Sequence, residues 1–263
     1  MKKLALVLGG GAAKGYAHIG VLKILEKNGI IPDLVVGTSM GALIGAMYCA
    51  GNSLSELEEM ALKFNSLGNF SIHSTLFKGN VLKETKAKKI ITKMLRGLDF
   101  KECKIPFACV STELNTGKQK VFKSGDLTEA VMASISIPGV YPCIKKDGNL
   151  YCDGGLVNNL PEDVAKEILP QAIVVSIDVI GDYSKQLEKL KMKTVETILN
   201  ASTLMTSNLI KNRPQFADLR IVVPVSNVSQ LDFSRETGAK TIAKGELSAK
   251  HNLKAIKQLL EIE

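Results

Sequence analysis

Residues 34–42 read Leu34-Val35-Val36-Gly37-Thr38-Ser39-Met40-Gly41-Ala42, and an apolar stretch continues from there to Ala50. The aliphatic run at 34–36 is typical of a strand that is buried on both faces, and the stretch 42–50 has the length of a helix. Gly37 and Gly41 lie two residues before and after Ser39, where they let the chain turn sharply. The segment therefore predicts a strand, a tight turn that projects a serine hydroxyl, and a helix whose N-terminus favours negative charge at that hydroxyl.

The same alternation of short apolar runs and helical periodicity extends along the whole chain. Besides 34–36, we predict strands at 4–8, 107–111, 172–177 and 219–223. We predict helices at 15–28, 42–50, 54–64, 83–95, 127–134 and 239–260. The strands lack a clean alternation of apolar and polar residues, as expected for strands covered on both sides. The fold class is therefore α/β, with a mainly parallel sheet covered by helices.

Length and composition indicate an ordinary folded domain. The 263 residues are 45% hydrophobic and 23% charged, which argues against a disordered chain, a collagen-like repeat or a coiled coil. No repeat or linker divides the sequence, so we expect one domain over 1–263. No stretch approaches the roughly 20 apolar residues of a membrane span, and the apolar run at 4–8 is short for a signal peptide. Any membrane contact is therefore expected to be peripheral.

The cysteines number five and include no Cys-x-x-Cys pair. An odd number at irregular spacing predicts neither a disulfide framework nor a zinc site. We therefore expect a reducing, cytoplasmic location.

A second glycine-rich segment, Gly9-Gly10-Gly11-Ala12-Ala13-Lys14-Gly15, joins the first predicted strand to the first predicted helix. Such a loop presents bare backbone amides to a dinucleotide, a phosphate or an oxyanion. The glycine spacing does not fit the dinucleotide pattern G-x-G-x-x-G, and Gly15 is followed by Tyr16 instead of the Lys-Ser/Thr of a phosphate loop. With a candidate nucleophile nearby, the segment favours an oxyanion hole, because amides beside the N-terminus of the first predicted helix can meet the charge that develops on a carbonyl under attack.

None of the three histidines lies where the base of a Ser-acid-His triad is expected, on a loop late in the chain. His18 falls inside the first predicted helix and His251 inside the last, where both are expected to pack or to face solvent. His73 is a weak candidate. It falls in 65–81, a polar connection that we interpret as a candidate lid. A carboxylate that acts directly on Ser39 is the remaining choice.

Asp153 is the first candidate for that carboxylate. It ends a short predicted strand, and Gly154 and Gly155 leave room for another group to approach. Asp178, at the end of a predicted strand, is the rival. A simple turn is the alternative interpretation of Asp153, because Asp-Gly is a common turn dipeptide. An aspartate with an ordinary pKa is a poor base at neutral pH, so burial would have to raise the pKa of this group.

Three motifs in this order resemble the patatin-like phospholipases: the glycine-rich loop with Lys14, GTSMG around Ser39, and DGG at Asp153. The stretches ASISIPG at 133–139 and DGGLVNNLP at 153–161 are also similar to bacterial members of that family. The resemblance covers about residues 4–180, whereas 181–263 carry no motif. It implies a three-layer α/β/α sandwich.

The same resemblance implies the roles of the site residues. Ser39 would be the nucleophile and Asp153 the base of a Ser-Asp dyad, with no cofactor or metal. The amides of Gly10, Gly11 and Ala12 would form the oxyanion hole, and Lys14 would take the basic position of the family. The supporting glycines would be Gly9, Gly15, Gly37, Gly41, Gly154 and Gly155. Plant patatins read GGG-x-R-G, and this chain has one residue more, which leaves the choice of amides open.

The expected reaction is hydrolysis of lipid acyl esters, of the phospholipase A or lysophospholipase type, through an acyl-enzyme on Ser39. Two alternatives are a small-ester or thioester hydrolase with the same dyad, and a regulatory or scaffold member with weak turnover. The amphipathic stretch 183–211 is expected to pack on the sheet, with a dimer or lipid-facing surface as its alternative.

The formal charge of +8, with lysines clustered at 83–93 and 185–193, leaves peripheral contact with an anionic membrane open. A solvated helix face explains the same lysines more simply. Nucleic acid is not an expected partner, because aromatic residues make up only 5% of the chain and tryptophan is absent.

Overall fold

The computed structural model describes residues 2–63, 81–181 and 194–262. Residues 65–80 of the candidate lid, His73 among them, lie outside this part of the chain. So do residues 183–193 of the predicted amphipathic stretch.

Eight strands are present in the described residues: β1 (Leu4–Leu8), β2 (Leu34–Thr38), β3 (Phe107–Glu113), β4 (Lys118–Phe122), β5 (Ile144–Lys146), β6 (Asn149–Asp153), β7 (Ile173–Asp178) and β8 (Leu219–Val222). The five strands predicted from apolar runs are confirmed within two residues at each end, and the short strand predicted to end at Asp153 is β6. β4 and β5 were not predicted, because most of their residues are polar or only partly buried. The apolar-run criterion finds the buried central strands and the aliphatic edge strand β8, and it misses outer strands that are mostly polar.

Eight α-helices accompany them in the same residues: α1 (Ala17–Lys27), α2 (Met40–Cys49), α3 (Leu54–Lys63), α4 (Val81–Met94), α5 (Leu127–Ser134), α6 (Glu162–Ile168), α7 (Thr194–Asn212) and α8 (Arg235–Leu260). The six predicted helices are all present. α8 begins four residues earlier than predicted because the Ser234 hydroxyl accepts the Thr237 N–H and caps the helix there. α6 was missed, since seven residues are too few to establish a helical period.

All eight strands form one sheet in the order β5-β6-β3-β2-β1-β7-β8, with β4 paired to β3. The pairs from β3 through β2, β1 and β7 to β8 are parallel, and those that involve β4, β5 and β6 are antiparallel. Along β1, Leu4, Leu6 and Leu8 pack into a core with α1, α2 and α8, whereas Ala5 and Val7 pack on the opposite face with α6 and α7. Helices therefore cover both faces of a mainly parallel sheet, and the predicted fold class is confirmed.

The pairing of β3 positions the candidate site. Its edge opposite β4 pairs first with β2, where Thr38 lies beside Val110, and then with β6, where Asp153 lies beside Ser111. β2 runs parallel to β3, and β6 runs antiparallel to it. The last residues of β2 and β6 therefore face each other, beside the consecutive β3 residues Val110 and Ser111. The residue that follows β2, Ser39, is thereby brought to the last residue of β6.

Cys143 and Cys152 form a disulfide, so the prediction of no disulfide is wrong. The hairpin explains the pairing: Ile144 lies opposite Tyr151, which puts the residue before β5 beside Cys152. Register of this kind cannot be read from cysteine spacing. The bond lies one residue before Asp153. The cytoplasmic location therefore loses its cysteine argument and stays a prediction.

Among the described helices, none combines the length and the apolar character that a bilayer crossing requires.

Candidate active site

Ser39 occupies the sharp turn between β2 and α2, with φ 54° and ψ −124°. A non-glycine residue in this region of backbone space is strained and persists only where its surroundings hold it. The Ser39 N–H donates to Ser134 Oγ at 2.9 Å, and Ser134 Oγ donates to the Val110 carbonyl at 2.7 Å. A Cβ at Gly41 would lie 2.1 Å from the Leu8 carbonyl oxygen, so only glycine permits this close approach. The predicted sharp turn at Ser39 is present, and the close packing of α2 on β1 explains why it requires glycine at position 41.

The Ser39 hydroxyl donates a hydrogen bond of 2.6 Å to Asp153 Oδ2. The other carboxylate oxygen, Oδ1, accepts the Gly155 N–H at 2.8 Å. Burial raises the pKa of Asp153 to about 6, and the hydrogen bonds from Ser39 and Gly155 counter only part of that rise. The bond to Gly155 is the one that a simple Asp-Gly turn would have. The bond to the Ser39 hydroxyl is additional to such a turn.

The backbone of Asp153 is fixed on both sides. Its N–H donates to the Ser136 carbonyl at 2.9 Å, and its carbonyl accepts the Thr112 hydroxyl at 2.8 Å. The carboxylate is therefore held at the end of β6 by bonds from two separate segments. Neither Thr112 nor Ser134 was singled out from the sequence, because each acts through the pairing of distant segments.

The glycine-rich loop passes directly beside Ser39. A Cβ at Gly10 would lie 3.0 Å from the Ser39 Cβ. The Gly10 N–H donates to the Asn159 carbonyl, and the Asn159 side-chain amide donates back to the Gly10 carbonyl, both at 3.1 Å. The Gly10 amide is thus already bonded and is not available to a bound oxyanion. The N–H groups of Gly11 and Ala12 donate to no acceptor among the described residues, so these two amides remain as candidates.

The rival carboxylate Asp178 belongs to a different contact network. Its Oδ1 accepts the N–H groups of Ile180 and Gly181 at the end of β7. Lys14 is buried, and burial lowers its pKa to about 8, with the Asp178 charge opposing that shift. The Lys14 ammonium donates to the Ser226 carbonyl at 3.3 Å. Asp178 therefore supports the loop after β7 and the position of Lys14.

His18 supports the glycine-rich loop from within α1. Its Nε2 lies 2.8 Å from the Gly9 carbonyl oxygen, and because a carbonyl can only accept, Nε2 carries the proton. Burial lowers the pKa of His18 to about 4, so the ring is neutral at pH 7. His251 is exposed on α8. His18 was predicted to pack within its helix, and its contact with the glycine-rich loop was not foreseen.

A cavity of about 60 Å³ lies over Ser39 and Asp153. It is lined by the glycine-rich loop, Ser39, Asp153, residues 137–138 and side chains of α7. A second cavity, of about 240 Å³, is lined by Leu160, Leu209, Phe216, Arg213 and neighbouring residues. Asn159 lines both cavities.

The site can be set beside known proteins. A family model described as patatin-like phospholipase matches residues 6–166, which is more than half of the chain. The chain belongs to the patatin-like phospholipase family. The resemblance carried by the three motifs is thereby confirmed.

Two relatives match the chain over 187 residues. The chain is 36% identical to patatin-like phospholipase domain-containing protein 6 of Homo sapiens. It is 34% identical to the neuropathy target esterase sws of Drosophila melanogaster. Each match covers 67% of this chain but 13% of the relative, so the chain corresponds to a small part of those proteins.

The crystal structure of VipD from Legionella pneumophila has the same fold. It superposes with a TM-score of 0.58 at 14% identity, over 97% of this chain and 67% of that one.

Proposed function

We propose that this patatin-like protein hydrolyses acyl esters of lipids, with Ser39 as nucleophile and Asp153 as base. The observation that carries the proposal is the 2.6 Å hydrogen bond from the Ser39 hydroxyl to a buried carboxylate whose pKa is raised to about 6. An ordinary aspartate is too weak a base at neutral pH, whereas a pKa near the working pH suits proton transfer. Membership in the family and the names of its relatives support lipid esters as the substrate class.

In the first half-reaction, Ser39 Oγ attacks the ester carbonyl carbon while its proton passes to Asp153 Oδ2. The negative charge that develops on the carbonyl oxygen is stabilised by the free N–H groups of Gly11 and Ala12. Collapse of the tetrahedral intermediate breaks the ester bond, and the departing alcohol takes the proton from Asp153. An acyl group then remains on Ser39.

In the second half-reaction, a water molecule attacks the acyl carbonyl and gives its proton to Asp153. Collapse releases the free acid, and the proton returns to Ser39 Oγ. The N-terminus of α2 begins at Met40, directly after the serine, and its partial positive charge favours each anionic state. The Gly155 amide keeps the carboxylate oriented throughout.

The proposal is tested with a fluorescent organophosphonate and with kinetics on acyl esters. We expect the label on Ser39 by peptide mass spectrometry, and loss of both label and turnover in Ser39→Ala. Ser248→Ala, at a buried serine of α8, is the matched control and should keep both. Labelling at another residue, or full turnover by folded Ser39→Ala, would exclude Ser39 as nucleophile.

A substrate panel separates the remaining alternatives. Diacyl phospholipids, lysophospholipids, short soluble esters and acyl thioesters should all be compared by kcat/KM. Preference for a soluble ester or a thioester over every lipid would overturn the lipid assignment. Negligible turnover on the whole panel by folded protein would instead favour a regulatory or scaffold role.

A further inference from the structure

Helix α7 has an exposed apolar stripe that no part of the mechanism uses. Ile198, Met205 and Leu209 have 59%, 67% and 41% of their surfaces exposed. At 3.6 residues per turn, spacings of seven and four residues align these side chains along one face. Single exposed apolar residues are common on protein surfaces, whereas an aligned set at a site entrance calls for a partner.

The stripe lies beside the cavity over the dyad. Ser202 and Thr206 of α7 line that cavity, and Ser202 is rotated by only about 40° from Ile198 around the helix axis. The Thr206 hydroxyl donates to the Gly155 carbonyl at 3.3 Å, which ties α7 to the turn after Asp153. One side of the helix thus faces the reacting groups, and the adjoining side presents the apolar stripe.

The stripe also extends to the second cavity. Leu209, its last member, lines the 240 Å³ cavity together with Phe216, which is itself exposed. Asn159 is shared by the two cavities. Exposed apolar side chains therefore continue from the stripe to the second cavity, whose lining also includes charged residues such as Asp163 and Arg213.

The charge around the stripe points to one kind of partner. Helix α7 has one acidic residue, Glu196, before the stripe, whereas residues 197–213 contain none and end with Lys211 and Arg213, and the whole chain carries a formal charge of +8. A second copy of the chain would bring the same positive charge to this face. An anionic bilayer matches both the apolar stripe and the basic end, since lysine and arginine side chains near such a surface are attracted to its negative charge.

We propose that α7 docks the protein on an anionic lipid bilayer through Ile198, Met205 and Leu209, so that substrate passes from the bilayer along this face to Ser39. The proposal rests on the lipid-ester function proposed above and adds the surface through which that function meets its substrate.

The test uses the full chain with Ile198→Gln and Met205→Gln combined, two positions that line neither cavity. Leu247→Gln, at an exposed residue of α8 with 52% of its surface accessible, is the matched control. Binding is measured by flotation with vesicles of phosphatidylcholine that contain about one third phosphatidylglycerol, and with phosphatidylcholine alone. Turnover is measured on the vesicle lipids and on a soluble short-chain nitrophenyl ester.

We expect the double variant to lose at least about tenfold in vesicle binding and in vesicle-lipid hydrolysis, with soluble-ester turnover retained. The control should match the wild type in all assays, and the wild type should bind the anionic vesicles more strongly. Equal vesicle binding by the double variant and the wild type would overturn the proposal, as would no binding by the wild type. A wild-type dimer in sedimentation that the double variant lacks would assign the stripe to a second copy and overturn it too.

Binding is repeated in a Ser39→Ala background, which separates docking from catalysis. If Ser39→Ala floats with anionic vesicles and the added double substitution abolishes this, docking stands even where the proposed hydrolysis fails. If wild-type protein cleaves the soluble ester but never binds vesicles, the hydrolase stands and docking fails.

Discussion

Two buried carboxylates, Asp153 at the end of β6 and Glu162 at the start of α6, are surrounded in opposite ways. Their exposed fractions are 6% and 2%, so both are nearly cut off from water. Asp153 accepts one hydroxyl and one backbone amide. Glu162 accepts two hydrogen bonds of 2.8 Å from Arg220, one of 2.6 Å from the Ser176 hydroxyl and two from the amides of residues 216 and 217.

The pKa values follow the surroundings. Burial raises the pKa of Asp153 to about 6, because its two partners offset only part of the desolvation. Burial alone would also raise the pKa of Glu162, but the hydrogen bonds and charge of Arg220, with the other donors, bring it below its ordinary value. A fully compensated buried carboxylate stabilises a fold, whereas one kept without a cation costs stability and is available to take up a proton.

The largest expected effect is on activity at Asp153. Asp153→Asn should lower kcat/KM on acyl esters by about 10²- to 10⁴-fold, because the amide cannot accept the serine proton. Its free energy of unfolding, measured by chemical denaturation, should stay equal or increase, since the variant removes an uncompensated buried charge. Retention of turnover by the folded variant would contradict the assigned base.

Glu162→Gln should have the reverse outcome. We expect the free energy of unfolding to fall by about 3 kcal/mol, because the partly buried Arg220 loses its ionic partner. The kcat/KM of the folded variant should remain within a few fold of wild type. Combining Glu162→Gln with Arg220→Met should recover part of the lost stability. If the activity of Glu162→Gln falls by more than its fraction of folded protein falls, the contrast between the two carboxylates is contradicted.

Much of this site could be predicted from sequence because its signals are local. Ser39 is marked by glycines two residues away on each side, and Asp153 by the two glycines that follow it. The four strands β1, β2, β3 and β7 are buried almost throughout and are marked by short apolar runs, whereas the edge strand β8 contains Arg220 and was still found from its aliphatic residues. Such features depend on neighbours within a few positions, so composition and spacing reveal them.

The remainder depends on contacts between distant positions. Glu162 and Arg220 are 58 residues apart, and no local pattern joins them. The disulfide depends on the register of the β5–β6 hairpin. The hydrogen bond from the Gly10 N–H to the Asn159 carbonyl likewise requires the packing of two loops. These are the contacts that distinguish the two carboxylates, which is why their opposite pKa shifts could not be foreseen.

The pH dependence should separate the two groups. Since the base must be ionised, kcat/KM should rise about tenfold per pH unit below pH 6 and level off above it. For stability, folding raises the pKa of Asp153 from 3.8 to about 6, so the folded state holds its proton more tightly and stability is lost as pH rises between those values. The folding stability from Glu162 is present above its ordinary pKa of 4.5 and is lost as pH falls through its lowered value.

These directions are checked by the free energy of unfolding at pH 4 and pH 7. The advantage of Asp153→Asn over wild type should grow with rising pH, and the deficit of Glu162→Gln should grow over the same interval. A kcat/KM profile that stays flat from pH 7 down to pH 5 would show that the essential base is not a group with this pKa.

The smallest expected effects belong to the two serines that support these carboxylate sites. Ser134 Oγ accepts the Ser39 N–H, and Ser176 Oγ donates to Glu162. Replacing either by alanine removes buried hydrogen bonds, and each variant should lose about 1–2 kcal/mol in the free energy of unfolding.

The two variants should differ in activity. Ser134→Ala frees the backbone of Ser39, whose φ of 54° is strained, so we expect kcat to fall about tenfold with little change in KM. Ser176→Ala should keep kcat, because its hydrogen bond ends on Glu162, which does not line the cavity at Ser39. Equal losses of kcat in both variants would mean that a general loosening of the sheet controls turnover, and not the hydrogen bond that fixes the strained turn at Ser39. The contrast between a structural and a reactive carboxylate would then not extend to the serines that support them.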